Sequence, residues 1–350
     1  MCRGQIKLVV IEHTTSWRVL VKLSAPTLSI LRTQKLACVR KFAYLCGSDY
    51  GVVLALEPDA IPRFITSILS SSHSMQIEFT KMNGAGNDFV VLDNRDGRYA
   101  ALDQAAVARL CDRHRGIGAD GLLAVEPAAP GSDADFTFRY YNADGGEAEM
   151  CGNGARCFGK FARQFVPAER DAVTFDTIAG RIRAEFCGDN VRIQLSEPHD
   201  FRIGLDLVVG ENTATIHHVN TGVPHAVLVL DDNTELESVD VRGLGSALRY
   251  HNAFAPKGTN ANFQKVLAPG SISIRTYERG VEDETLACGT GMVANAIVHH
   301  LLTGAASPIR VLVRGGDWLE VGFTAEGPET FRDVTLTGPA DITFTGTFPL

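Results

Sequence analysis

Glu149-Met150-Cys151-Gly152-Asn153-Gly154 and Leu286-Ala287-Cys288-Gly289-Thr290-Gly291 are two versions of one phrase. Each cysteine follows a turn, precedes Gly-x-Gly and opens a helical pattern. After Cys151 the apolar positions Ala155, Phe158, Ala162 and Phe165 recur at steps of three and four until Pro167. After Cys288 come Val293, Ala296, Ile297 and Leu301, with Gly304 as the C-terminal stop. The surroundings repeat as well. Tyr140-Tyr141-Asn142-Ala143-Asp144-Gly145-Gly146-Glu147 runs parallel to Thr276-Tyr277-Glu278-Arg279-Gly280-Val281-Glu282. Asp88-Phe89-Val90-Val91 lies 63 residues before Cys151, and His225-Ala226-Val227-Leu228 lies 63 before Cys288. Three echoes in one order, with kept spacing, indicate an internal duplication.

Working outward, strands are expected at 76–79, 89–92, 136–141, 173–175, 181–185 and 191–195, with a helix over 102–111. The second half repeats the plan: strands at 215–219, 226–230, 271–276, 310–313, 318–323 and 334–337, and a helix over 240–250. The fold class expected is α/β (α+β), two pseudo-symmetric domains, each with mixed strands around a central helix. The divisions are 75–195, 196–340, and a final strand over 341–350 returning to the first domain.

Both thiols sit at predicted helix N-termini. The free N–H groups and the positive dipole end there favour a thiolate, predicting a pKa lowered from about 8.5 toward neutrality. The same N–H groups can hold a carboxylate, and the glycines let a ligand approach the backbone. Across a pseudo-two-fold axis, the thiols could address opposite faces of one carbon. Elsewhere a lone cysteine is more often a small buried hydrophobe, which fits Cys111, Cys157 and Cys187.

Composition narrows the field. The chain has 350 residues, 45% hydrophobic and 21% charged, with net charge −8, ordinary for a globular protein and wrong for a nucleic-acid partner. No apolar run is long enough for a membrane span. Eight cysteines, without CxxC pairs or zinc-ligand spacing, suggest reduced thiols in a cytoplasmic protein and no metal. Residues 1–74 differ from the rest: nine Lys/Arg against four Asp/Glu give +5, leaving −13 for residues 75–350. Lys and Arg recur throughout that stretch, unlike a secretory signal. It is expected to be a non-native or disordered extension, with the working protein beginning at Met75.

Three motifs are decoys. Gly289-Thr290-Gly291-Met292-Val293-Ala294 satisfies a dinucleotide fingerprint, but residues 305–316 offer no ribose-binding acid. Gly154-Ala155-Arg156-Cys157-Phe158-Gly159-Lys160 imitates a phosphate loop, but Phe161 replaces the Ser/Thr. His299-His300 lacks a third ligand and is expected at a solvated helix end.

With these phrases quoted, and adding Lys81-Met82-Asn83-Gly84-Ala85-Gly86-Asn87-Asp88-Phe89, Arg113-His114-Arg115-Gly116-Ile117-Gly118-Ala119-Asp120 and Tyr277-Glu278-Arg279-Gly280, the chain resembles the diaminopimelate epimerase family from Met75 onward. The resemblance implies a two-domain barrel-like fold and a reaction without pyridoxal or other cofactor. That reaction interconverts LL- and meso-diaminopimelate in lysine and peptidoglycan precursor synthesis. One cysteine of the pair Cys151 and Cys288 removes the α-proton, and the other reprotonates the opposite face. It also implies substrate contacts at Asn87, Asn142, Gly152, Asn153, Asn260, Glu278, Arg279, Gly289 and Thr290, with His225 and Glu278 tuning the thiols. Arg279 suits a carboxylate and Glu278 an ammonium. Gly121 stands where some members have Gln, and Val223 where some have Asn, so backbone or water must substitute there. The partner implied is a small molecule, and the resemblance leaves room for a homodimer.

Two alternatives remain at this level. Proline- or hydroxyproline-type racemases share the fold, but typically carry His after the first Cys-Gly and Pro before the second Cys; here Asn153 and Ala287 stand there. A thiol redox sensor would use the same pair as a switch.

Overall fold

The computed structural model describes residues 75–210 and 212–350, together with the backbone of four strands earlier in the chain. Those four are β1 (Lys7–His13), β2 (Ser16–Lys22), β3 (Phe42–Leu45) and β4 (Gly51–Leu54), in a sheet of order β1-β2-β4-β3. The remainder of 1–74, and the expectation of an extension placed on it, lie outside the described residues. The unit Gln76–Leu350 is taken by itself below.

Its first half runs β5 (Gln76–Gly84), β6 (Asn87–Asp93), α1 (Gln104–Cys111), β7 (Gly121–Pro127), β8 (Phe136–Asn142), α2 (Gly152–Ala162), β9 (Ala172–Thr177), β10 (Gly180–Cys187) and β11 (Asn190–Gln194). The second runs β12 (His199–Val209), β13 (Asn212–Asn220), β14 (Pro224–Val229), α3 (Val241–Arg249), β15 (Asn260–Ala268), β16 (Ser271–Glu278), β17 (Asp283–Thr285), α4 (Gly289–Thr303), β18 (Ile309–Leu312), β19 (Trp318–Gly327) and β20 (Thr330–Gly338). The last strand, β21 (Asp341–Pro349), pairs antiparallel with β5.

The duplication appears in the pairing itself. From β5 to β11 successive pairs are antiparallel, parallel, antiparallel, parallel, antiparallel and antiparallel. From β13 through β14, β15, β16, β18, β19 and β20 the series is the same. Each parallel step needs a crossover, and a helix supplies it: α1 and α3 at the first step, α2 and α4 at the second. Strands β7 and β15 were not anticipated from sequence, yet each is the third strand of its series, paired on both sides.

The register also corrects the equal spacing noted above. Phe89 pairs with Gly121 and Gly121 with Asn142; His225 pairs with Asn260, and Ala261 with Tyr277. Phe89, not Asp88, therefore occupies the place of His225, and Gly121 that of Asn260. The odd residue falls later, since Cys151 is nine steps beyond Asn142 and Cys288 ten beyond Glu278.

The halves join where β11 meets β20, with Ile193 opposite Leu336. These two residues hold equivalent ladder positions, so the pseudo-two-fold axis passes between them. The two central helices share one core, in which Phe158, Ala155 and Ala162 of α2 and Met292, Val293, Ala296 and Ile297 of α4 are buried. Apolar helix faces packed this way hold the helix starts in place; each fully buried large side chain contributes about 1.5–3 kcal/mol. α1 and α3 cover the outer faces of their sheets.

Candidate active site

The outer helices start conventionally. Asp103 accepts from the Ala106 N–H at 2.8 Å, and Asp240 from the Gly243 N–H at 2.9 Å. The central helices do not: their N-cap residues are Cys151 and Cys288, neither of which makes a side-chain cap. A thiol therefore stands where a helix normally carries a capping oxygen. The two starts face each other, because a Cβ built on Gly152 would lie 3.8 Å from the Gly289 Cα. The same Cβ positions contact Ile193 and Leu336, the pair on the axis.

Burial decides the thiol electrostatics. It raises both pKa values, and the Glu278 charge adds to this at each sulfur. The N–H groups of Gly154 and Asn153 at Cys151, and the Thr290 hydroxyl with the Gly291 N–H at Cys288, pull the other way without prevailing. The lowered pKa expected from helix ends alone is thus reversed, since desolvation outweighs a dipole effect of about 0.3–1 kcal/mol. Glu278 is itself raised by burial.

The motifs around Asn87 converge. Asn87 Nδ2 donates to Asp120 at 3.0 Å, and its Oδ1 accepts from Asn153 Nδ2. Asp120 and Asp88 are gripped by Arg113, and Lys81 donates to Asp88 and to the Gly118 carbonyl. Burial pushes the Asp88 carboxyl up, but Arg113 and Lys81 overcome it and hold it at about 2. Asn153 also reaches the Ala287 carbonyl at 3.4 Å, next to the other cysteine, and accepts from the wholly buried Arg156 at 2.9 Å.

On the other side, Asn260 donates to the Pro224 carbonyl at 3.0 Å and accepts from the Arg279 N–H at 2.8 Å. The Arg279 guanidinium donates to the Lys257 carbonyl at 3.3 Å. His225, fully buried, lies 2.9 Å from the Thr290 hydroxyl, which lies 3.6 Å from the Cys288 sulfur. Burial drives the His225 pKa down to about 3, so the ring is neutral. Asn142 is exposed at the end of β8.

Several contributors escaped the sequence reading. Asn262 and Thr276, both buried, bond behind His225. Tyr140 lies near Cys151 and Glu278; burial first, then their charges, raises its pKa. Its ring also explains Gly121: a Cβ there would meet Tyr140 Cε2 at 2.7 Å and the Tyr141 carbonyl oxygen at 2.6 Å, so no side chain fits. The internal repeat could have pointed to Tyr140 and Thr276, which align in the two phrases. His299 is another correction: it is buried, with both ring nitrogens unpartnered, not at a solvated end. Cys111 and Cys157 are buried as expected, whereas Cys187 is half-buried. Among the described residues no group of three or more His, Cys, Asp or Glu is placed to hold a metal ion. No helix among them is long and apolar enough to cross a membrane.

Known proteins can now be set beside this geometry. The family model described as diaminopimelate epimerase matches residues 79–199 and 217–342. The diaminopimelate epimerase of Hydrogenobaculum sp. (strain Y04AAS1) is 42% identical over 276 residues, covering 76% of this chain and 96% of its own. That of Aquifex aeolicus is also 42% identical, over 283 residues, covering 77% and 97%. Among solved structures, a hydroxyproline epimerase from Agrobacterium vitis covers 78% of this chain and 91% of its own, with a TM-score of 0.57 at 15% identity. A phenazine biosynthesis protein from Bacillus anthracis covers 79% and 100%, with a TM-score of 0.58 at 14% identity. These structures share the fold, while the much closer sequence relatives set the lineage: this chain belongs to the diaminopimelate epimerase family.

Proposed function

We propose that this isomerase interconverts LL- and meso-diaminopimelate by moving one α-proton between Cys151 and Cys288. The observation that carries the reading is the facing pair of helix starts, each with a cysteine as its N-cap residue, with Gly152 and Gly289 in contact across the axis. An α-carbon held there has one sulfur on each face. In this reading the helix-start N–H groups of Gly152, Asn153, Gly289 and Thr290 hold the α-carboxylate. Asn87, Asn142, Asn260, Glu278 and Arg279 take the distal ammonium and carboxylate.

In one direction the Cys151 thiolate accepts the α-proton, forming S–H as C–H breaks. The Cys288 thiol gives its proton to the opposite face, forming the new C–H bond and leaving a thiolate. Nothing is oxidised, and the enzyme ends with its protonation states exchanged. A sulfur shielded from water is a stronger base once ionised, and the substrate's α-ammonium brings the positive charge that favours ionisation. His225 and Glu278 tune the thiols, His225 through Thr290 and Glu278 through its charge.

The halves 75–195 and 196–340 act as two domains that each present one cysteine, with residues 341–350 returning to the first and residues 1–74 outside the epimerase unit. The enzyme works in the cytoplasm, and a homodimer is compatible with this reading. The racemase alternative is not favoured: the hydroxyproline epimerase neighbour is 15% identical, whereas relatives at 42% identity are diaminopimelate epimerases.

The test is deuterium uptake at the α-carbon, followed by NMR with reduced full-length protein and meso-diaminopimelate in D2O. Exchange with formation of the LL isomer is expected. A folded, reduced sample that exchanges nothing would overturn the reading.

A further inference from the structure

The hydrogen bonds behind Cys288 form a chain whose direction is fixed at its far end. Asn262 is wholly buried on β15, and its Nδ2 lies 3.0 Å from the Ala226 carbonyl oxygen, an atom that only accepts. This contact fixes the amide's orientation, leaving Oδ1 to accept from the Thr276 hydroxyl at 3.0 Å. The same Nδ2 lies 3.2 Å from His225 Nδ1, which must therefore present a lone pair. In a neutral imidazole the proton then sits on Nε2, 2.9 Å from Thr290 Oγ1. Thr290 receives that bond and turns its own proton toward the Cys288 sulfur, 3.6 Å away. Every link from the Asn262 amide onward donates toward the sulfur.

We propose that Asn262, steadied by Thr276, is a positioning residue that fixes one tautomer of His225 and so makes Thr290 donate to Cys288, favouring the thiolate at that cysteine alone. The proposal deepens the two-base reading and rests on it for its catalytic meaning. The first half has no such chain. The ladder positions equivalent to Asn262 and His225 hold Leu123 and Phe89, both buried. Tyr140 replaces Thr276, and its ring packs edge-on against Phe89 at 6.2 Å. The groups whose charge reaches Cys288 are Glu278 and Cys151; those reaching His225 are His218 and Arg279, which both oppose a second proton on its ring.

Asn262→Asp keeps the shape and reverses the polarity, because a carboxylate beside Nδ1 draws the imidazole proton there. Nitrogen-15 NMR of the imidazole in reduced full-length protein should show His225 protonated on Nε2 in the wild type and on Nδ1 in the variant. The pH profile of kcat/KM should move so that the ionisation limiting activity on its acid side lies at higher pH. Near neutrality a loss of about ten- to a hundredfold is expected, the size of a hydrogen bond to a charged group. In a Thr290→Val background, Asn262→Asp should add little. A wild-type His225 protonated on Nδ1, or a variant with the wild-type pH profile, would overturn the proposal. Should Asn262→Asp fail to fold, the near-isosteric Thr290→Val carries the test by its pH profile alone, and an unchanged profile refutes the relay. The tautomer is read without turnover, so an absent epimerase activity and an absent relay are told apart.

Discussion

Cys151 and Cys288 stand at equivalent helix starts, on equivalent ladders, on either side of one axis, yet what lies behind them differs in kind. Behind Cys288 runs a polar chain through Thr290, His225, Asn262 and Thr276. Behind Cys151 the matching positions hold Phe89, Leu123 and Tyr140, an aromatic and aliphatic wall. The residue matching Thr290 is Asn153, which spends its amide on Asn87, Arg156 and the Ala287 carbonyl, bracing the two halves. The first half instead concentrates charged side chains in the Lys81, Asp88, Arg113 and Asp120 cluster. Duplication has thus kept the backbone that sets two cysteines at facing helix starts while letting each half surround its thiol by different means. The proposed two-base reaction, which presents unlike faces of one carbon to the two sulfurs, tolerates that divergence.

The sharpest way to break this picture is to remove each thiol in turn. Cys151→Ser and Cys288→Ser should each cost about 10²- to 10⁴-fold in turnover, the usual worth of a positioned acid or base, while substrate binding persists. Near wild-type inversion in either variant, measured by NMR, would mean that one half alone carries the chemistry. Next in size is Thr290→Val, expected to lower kcat/KM about ten- to a hundredfold with the folded state largely intact.

Smaller effects test the equivalence of Thr276 and Tyr140. Thr276→Val strands the buried Asn262 oxygen and should cost about 1–3 kcal/mol in urea unfolding. Tyr140→Phe removes a hydroxyl with no hydrogen-bond partner among the described residues, and should stay within about 0.5 kcal/mol. Equal losses would deny the asymmetry.

The mildest difference concerns acid. Burial lowers the pKa values of His217, His218, His225 and His299, all in the second half, with His225 at about 3. Unfolding lets these rings take up protons below their ordinary 6.5, so their contribution to stability is full above that pH and falls as pH drops toward about 3. In the first half, Asp88 contributes stability above the ordinary carboxylate range, lost only as pH falls to about 2. Hydrogen exchange at mildly acid pH should therefore lose protection first in β13–β16 and α4, and uniform loss across both halves would contradict this.

The cysteines were legible because their signal is local: a turn, Gly-x-Gly and a helical period, written twice. The register was not. Equal spacings of 63 residues set Asp88 against His225, and only the ladders reveal Phe89 there, because the compensating residue sits between Glu278 and Cys288. β7 and β15 open on Gly121 and Asn260, residues that read as turn formers, so two interior strands went unseen and Asn262 with them. The direction of the thiol pKa shifts was misread for a related reason. A helix end is visible in sequence, whereas the burial that outweighs it depends on how the whole unit packs. Gly121 looked like a lost contact, but the backbone and the Tyr140 ring fill its place.

The pairing of β21 with β5 has a consequence for how the chain is made. Gln76 lies opposite Pro349, so the first strand of the unit waits for the last before that edge is covered. While a ribosome works between them, β5 offers an open row of N–H and C=O groups, the kind of edge that invites wrong partners. Contacts so distant in sequence also tend to form late. A chain released short of residue 341 would keep both cysteines and every link of the relay, yet leave β5 with one side bare.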